Sequence, residues 1–158
     1  MEMSRRPVLA FLIVFALVSL APFAAARRLE KGDFGLGLIL GDPAGVNMKY
    51  WTGSTTALGA SVAWSVGKDK AFLAHVDYLF HDFEMFKVNS GRLGVYYGVG
   101  GRLKTNGETR VGIRIPLGVT YIFERVPLDV FFEIAPLLDV IPETQGDVQG
   151  GVGVRIYF

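Results

Sequence analysis

Several charged side chains fall at alternate positions of segments that are otherwise apolar. Lys49, Asp77, Arg92, Arg102, Arg110, Arg114, Asp129, Glu133, Asp139 and Arg155, with Asp33 near the start, each share a parity with glycine, serine or another polar residue. Charges of both signs on one confined face must pair or stay wet, because an unpaired buried charge is very costly. Two arrangements follow from position along the segments. Asp129, Arg155, Asp33 and Lys49 form a lower belt of alternating sign across adjacent segments. Glu133 joins Arg114 in a middle cluster, with His75 and Asp77 nearby. His75 and Asp77 stand two apart, the spacing of a base and its orienting acid on one strand face. No serine nucleophile follows that histidine, so a buried, hydrogen-bonded His75 is expected. His81 with Asp82 and Glu84 gives two carboxylates and one imidazole without regular spacing, which is weak ground for a divalent ion. Gly98-Val99-Gly100-Gly101 and Gly150-Gly151-Val152-Gly153 lack the GxGxxG spacing and a following helix, so they read as packing positions. Cysteine is absent, which excludes disulfides, thiolate metal sites and a Cys nucleophile. No catalytic residue, metal or cofactor is expected.

The elements that must position these charges are strands. After residue 26 the dominant signal has period two. At the C-terminus Val148, Gly150, Val152, Val154, Ile156 and Phe158 share one face, while Gln149, Gly151, Gly153, Arg155 and Tyr157 share the other. The same alternation recurs over about 33–41, 45–51, 56–66, 71–80, 92–103, 109–122 and 127–140, giving eight segments in all. Most approach or exceed the roughly 9–11 residues that a tilted strand needs to cross a bilayer. Turn chemistry separates them, as in Gly41-Asp42-Pro43-Ala44-Gly45, Thr52-Gly53-Ser54, Gly67-Lys68-Asp69 and Thr105-Asn106-Gly107. The expected architecture is all-β, an eight-stranded antiparallel up-and-down transmembrane barrel.

Residues 1–26 read as a cleaved signal peptide. Arg5 and Arg6 precede an apolar run from Val8 to Leu20, and Ala24-Ala25-Ala26 supplies the small-residue cleavage site. The barrel domain is then 27–158. With 51% hydrophobic and 20% charged residues the chain is not disordered, and a net charge of +1 gives no argument for nucleic acid. Small residues beside charges suit the inside of a narrow barrel better than a solvated exterior. The bulky, uncharged face is then the outer one. Phe34, Tyr50, Phe80, Tyr121 and Phe158 all lie on it near one end, as a membrane girdle of aromatic rings would.

Residues 33–158 resemble the small eight-stranded outer-membrane barrels of the OmpA-membrane-domain and OmpX type. The likeness rests on the signal peptide, the eight alternating segments and the ending Val154-Arg155-Ile156-Tyr157-Phe158. Gly41-Asp42-Pro43-Ala44-Gly45, Lys49-Tyr50-Trp51 and Val130-Phe131-Phe132-Glu133-Ile134-Ala135-Pro136 are loosely similar to a set of small spirochaete barrels. The resemblance implies outer-membrane lipid and the assembly machinery as partners, a monomer, and no catalytic residue. It implies long surface loops too, yet here the longest connection, His81 to Gly91, falls on the periplasmic side. A structural or interaction role with a largely plugged interior is the first expectation. A narrow ion or small-solute channel, a lipid-modifying enzyme using His75 and Asp77, and a soluble lipocalin-like barrel are the alternatives.

Overall fold

Pro116 divides the longest run of alternation in two, and the ring of strands is built around that break. The computed structural model describes residues 29–42, 44–64 and 71–158. The strands are β1 (Phe34–Asp42), β2 (Gly45–Trp51), β3 (Thr56–Trp64), β4 (Phe72–Asp82), β5 (Arg92–Thr105), β6 (Thr109–Arg114), β7 (Leu117–Ile122), β8 (Leu128–Ile141) and β9 (Gln145–Tyr157). The signal-peptide reading of residues 1–26 lies outside the described residues, as do the end of the segment expected over 56–66 and the turn after it.

Every pairing is antiparallel. β1 to β5 pair in sequence order, β6 and β7 both lie between β5 and β8, and β9 pairs with β8 and with β1. Among the described residues nine strands therefore make eight staves of a ring. The sixth stave is split because Pro116 has no N–H to offer a ladder. Neighbouring bonds bridge the gap: Gly98 N donates to Pro116 O at 2.9 Å, and Ile115 N to Pro136 O at 2.9 Å. A register shift between Val111 and Gly112 adds to the unevenness of closure on this side.

Strand ends depart from the alternation by a few residues. β4 continues past position 80 because His81 pairs with Tyr96 and Asp82 with Val95. β9 begins at Gln145, opposite Asp139, so the last hairpin is longer than its apolar pattern.

The two faces are sorted in the opposite way to a water-soluble fold. Inside, Lys49 and Asp129 are 0% exposed. Outside, Leu40 is 66% and Trp64 59% exposed, amid a continuous wall of valine, leucine, isoleucine and aromatic side chains. Charged residues are almost never fully buried unless paired, and contiguous apolar surfaces of this extent mark a contact with something apolar. Glycine makes the narrow interior possible where large side chains cross it. A Cβ at Gly118 would strike the Tyr96 ring, and one at Gly153 would strike the Phe131 ring.

Gly118→Ala is therefore expected to destabilise the fold by about 1–3 kcal/mol through overpacking. Gly146→Ala, where a Cβ meets nothing within 4 Å, should be neutral. Urea titration of the folded, slow-heating gel band of each variant measures the difference.

Candidate functional site

The lumen is the site, and strand parity delivers its side chains. Positions 47, 49 and 51 of β2, 75 to 81 of β4 at every second residue, 129 to 139 of β8 at every second residue, and 155 and 157 of β9 all point inward. Three arginines each hold carboxylates on other staves.

Near the β5–β6 turn, Arg102 Nη2 donates to both oxygens of Asp139 at 2.7 and 2.6 Å, and its Nη1 reaches Asp147 Oδ2 at 3.4 Å. In the middle, Arg114 Nη2 donates to Glu133 Oε1 at 2.6 Å, while Nη1 lies 3.2 Å from Asp77 Oδ2. Tyr96 Oη donates to the other Glu133 oxygen at 2.8 Å. Lower down, Arg155 grips Asp129 through Nε at 2.9 Å and Nη2 at 2.9 Å. Tyr157 Oη and Thr120 Oγ1 also donate to that carboxylate, at 2.8 and 3.2 Å. The chain of bonds continues from Arg155 Nη1 to Asn47 Oδ1 (2.8 Å) and from Asn47 Nδ2 to Ser61 Oγ (2.7 Å).

Lys49 departs from the expected belt. Its Nζ lies 2.6 Å from His81 Nε2, 4.7 Å from the Trp51 ring centre and 5.3 Å from that of Tyr96. Its hydrogen-bond partner is an imidazole nitrogen and its neighbours are aromatic faces, in place of the carboxylate the belt supplies. The Asp33 carboxylate takes the backbone N–H of Glu30 at 2.7 Å. His81 corrects a second expectation. It is not a loop residue grouped with Asp82 and Glu84, because β4 runs on to Asp82 and parity turns His81 into the lumen. Asp82 and Glu84 stay outside, where Asp82 Oδ1 caps its own turn through Glu84 N at 2.8 Å.

Below Lys49 apolar and aromatic side chains cross the lumen. Leu29, Trp51, Ala57, Ile122 and Tyr157 form one buried cluster with Phe83 packed against it. Ile39, Leu79, Tyr96 and Phe131 form another at mid-height. Alternation alone signals the parity of Trp51, Tyr96 and Tyr157, but not that their rings meet.

Two arrangements in the lumen have the makings of chemistry. Single donor atoms of His75, Asp77 and Glu133 lie within 4.8 Å of one another, a spacing that suits a divalent cation. Arg114 already bridges the two carboxylates, so a guanidinium supplies the positive charge there. Ser61 stands directly opposite His75 across the β3–β4 ladder, and His75 Nε2 is 3.6 Å from Asp77 Oδ2. That separation is too long for a hydrogen bond, and His75 Nδ1 has no partner among the described residues, contrary to the expectation of a hydrogen-bonded histidine. Ser61 and His75 are 1% and 4% exposed, and the serine hydroxyl is held by Asn47.

Outside, Phe34 pairs with Tyr50 across the β1–β2 ladder and with Phe158 through mutual backbone bonds. Phe80 stacks on Tyr97 with centroids 5.6 Å apart, and Tyr121 meets Phe123 edge-on at 4.9 Å.

No family model matches this chain, and no curated protein matches it. Among solved structures it is similar to the N-terminal β-barrel domain of Pseudomonas aeruginosa OprF, with a TM-score of 0.57 and 17% identity, over 80% of this chain and 96% of that one. At that identity the likeness is one of fold: both are antiparallel β-barrels.

Arg155→Ala leaves Asp129 buried without its main counter-charge and is expected to destabilise the protein by about 3–5 kcal/mol. Adding Asp129→Asn to that variant should recover part of the loss, since a neutral amide needs no ion partner. The urea midpoints of the three proteins check both steps.

Proposed function

We propose that this chain is an integral outer-membrane β-barrel of the OmpA-like type, exported behind a signal peptide that ends at Ala26. Its role is structural or interactive, carried out as a monomer, with a lumen closed by its own side chains. The observation that carries this reading is the inverted sorting of the ring. Paired charges fill the inside, and carbon covers the outside. Water is a poor solvent for that outer wall and hydrocarbon a good one. A closed ring is also the one β arrangement whose backbone groups are satisfied within a bilayer.

The aromatic positions Phe34, Tyr50, Phe80, Tyr121 and Phe158 fit a girdle at the interface. The alternating apolar face of β9 suits recognition by the outer-membrane assembly machinery. The fold shared with the OprF barrel domain is in keeping with this location. Fractionation tests it. The protein should stay in the outer-membrane pellet after alkaline washing and migrate differently on gels before and after boiling. Recovery in the periplasmic fluid would replace this reading with the soluble-barrel one.

A narrow channel is the second reading, and one observation favours it: charged groups line the lumen from Asp139 down to Lys49. In planar bilayers the plugged barrel is expected to give no steady unitary currents. Steady currents that Glu133→Gln alters would establish the channel instead.

A further inference from the structure

Charge is out of balance between mid-height and the β5–β6 turn. Two guanidiniums, those of Arg102 and Arg114, stand against four carboxylates: Asp139 and Asp147 on Arg102, Asp77 and Glu133 on Arg114. Asp147 is half exposed, so water screens its charge. Asp77 and Glu133 are buried and have one guanidinium between them. A buried carboxylate without a counter-charge is very costly, so a further positive charge belongs at this level.

His75 stands beside that deficit. Its Nε2 faces Asp77 Oδ2 at 3.6 Å, outside hydrogen-bond range, and its Nδ1 has no partner among the described residues. An imidazole buried in this way has given up its bonds to water and gained none in return. The separation has a second meaning. Two donors held at about 2.0–2.2 Å by one tetrahedral ion stand roughly 3.4 Å from each other. A Glu133 oxygen makes a third donor, and the three lie within 4.8 Å of one another. Closing them on a shared ion takes shifts of about 1 Å, by the same geometry.

We propose that His75, Asp77 and Glu133 bind one divalent cation of the zinc type, through His75 Nε2 and one oxygen of each carboxylate. One imidazole nitrogen and two carboxylate oxygens suit zinc and its first-row neighbours, whereas magnesium and calcium take oxygen ligands. Three protein ligands leave a fourth position to water. Bonds around the carboxylates supply the outer support that such sites need: Tyr96 Oη donates to Glu133 Oε2 and Arg114 Nη2 to Glu133 Oε1. Arg114 opposes the ion with one charge, and the two carboxylates attract it with two. A proton shared by those carboxylates is the competing source of charge, and the experiment separates the two. The proposal rests on the lumen alone and holds whether hydrocarbon or water surrounds the ring.

The test uses the full mature protein without a tag, stripped with a chelator and kept in mild detergent. Zinc is offered both to the folded protein and during refolding, because the three donors are buried. After desalting, elemental analysis should find one zinc per chain, and excess magnesium should not displace it. Cobalt in its place should give the visible absorption of a tetrahedral site. His75→Ala, Asp77→Asn and Glu133→Gln should each weaken zinc binding by roughly tenfold or more. Asp77→Asn and Glu133→Gln keep the shape of the side chain, and heat-modifiable migration confirms that each variant is folded. No zinc retained under either loading overturns the proposal and leaves the charge to a proton. Zinc held equally well by His75→Ala and Asp77→Asn is an adventitious ion only and overturns it too, as does displacement by magnesium.

Discussion

Closing a sheet into a ring of eight staves fixes the room available inside, and the rest of the structure answers to that limit. Alternation sends every second side chain into the lumen whatever its chemistry. Large charged groups then meet across a narrow space, and each must find a partner within it. The grip of Arg155 on Asp129 represents this best. Five groups from four elements converge there: Tyr157 and Arg155 on β9, Asp129 on β8, Thr120 on β7 and Asn47 on β2. Such a hub ties the closing pair β8–β9 to staves on both sides, so the ion pair and the ring support one another.

The same limit explains the glycines. The Phe131 ring lies against the Arg155 guanidinium, 3.9 Å from ring centre to Cζ, and it can do so because Gly153 opposite has no Cβ. Tyr96 reaches Glu133 past Gly118 in the same way. Small residues on the inner face are the complement of the large ones, and neither set is explained alone.

This division of labour decides what could be read in the sequence. Parity sorted Asp33, Lys49, Arg114, Asp129, Glu133 and Arg155 onto a single face because a strand's period is two and insensitive to detail. Partners were legible only where neighbouring staves and height left little choice, as for Arg155 with Asp129 and Arg114 with Glu133. Lys49 with His81 was not, because the apolar run of β4 ends at Phe80 and the strand's two further residues are held by pairing with Tyr96 and Val95. The split of the sixth stave is marked in the sequence only by Pro116, because the alternation runs unbroken from Val111 to Tyr121 and reads as a single segment. The floor of aromatic rings needed three dimensions, since Trp51 and Tyr157 approach from strands far apart in sequence.

The choice of cations follows from geometry. Arg102, Arg114 and Arg155 each serve two or more acceptors on different staves, which a planar, forked guanidinium does without changing rotamer. Each therefore neutralises a carboxylate and braces the ring in one group. Lys49 sits where no fork is required. Its single ammonium points at one imidazole nitrogen between two aromatic faces, just above the carbon floor. An arginine there would present its broad fork to rings that leave space for a point charge. The lumen thus grades from forked ion pairs at mid-height to one caged ammonium and then to carbon. A hydrated ion entering it would meet paired charges first and then a layer made mostly of carbon and aromatic rings.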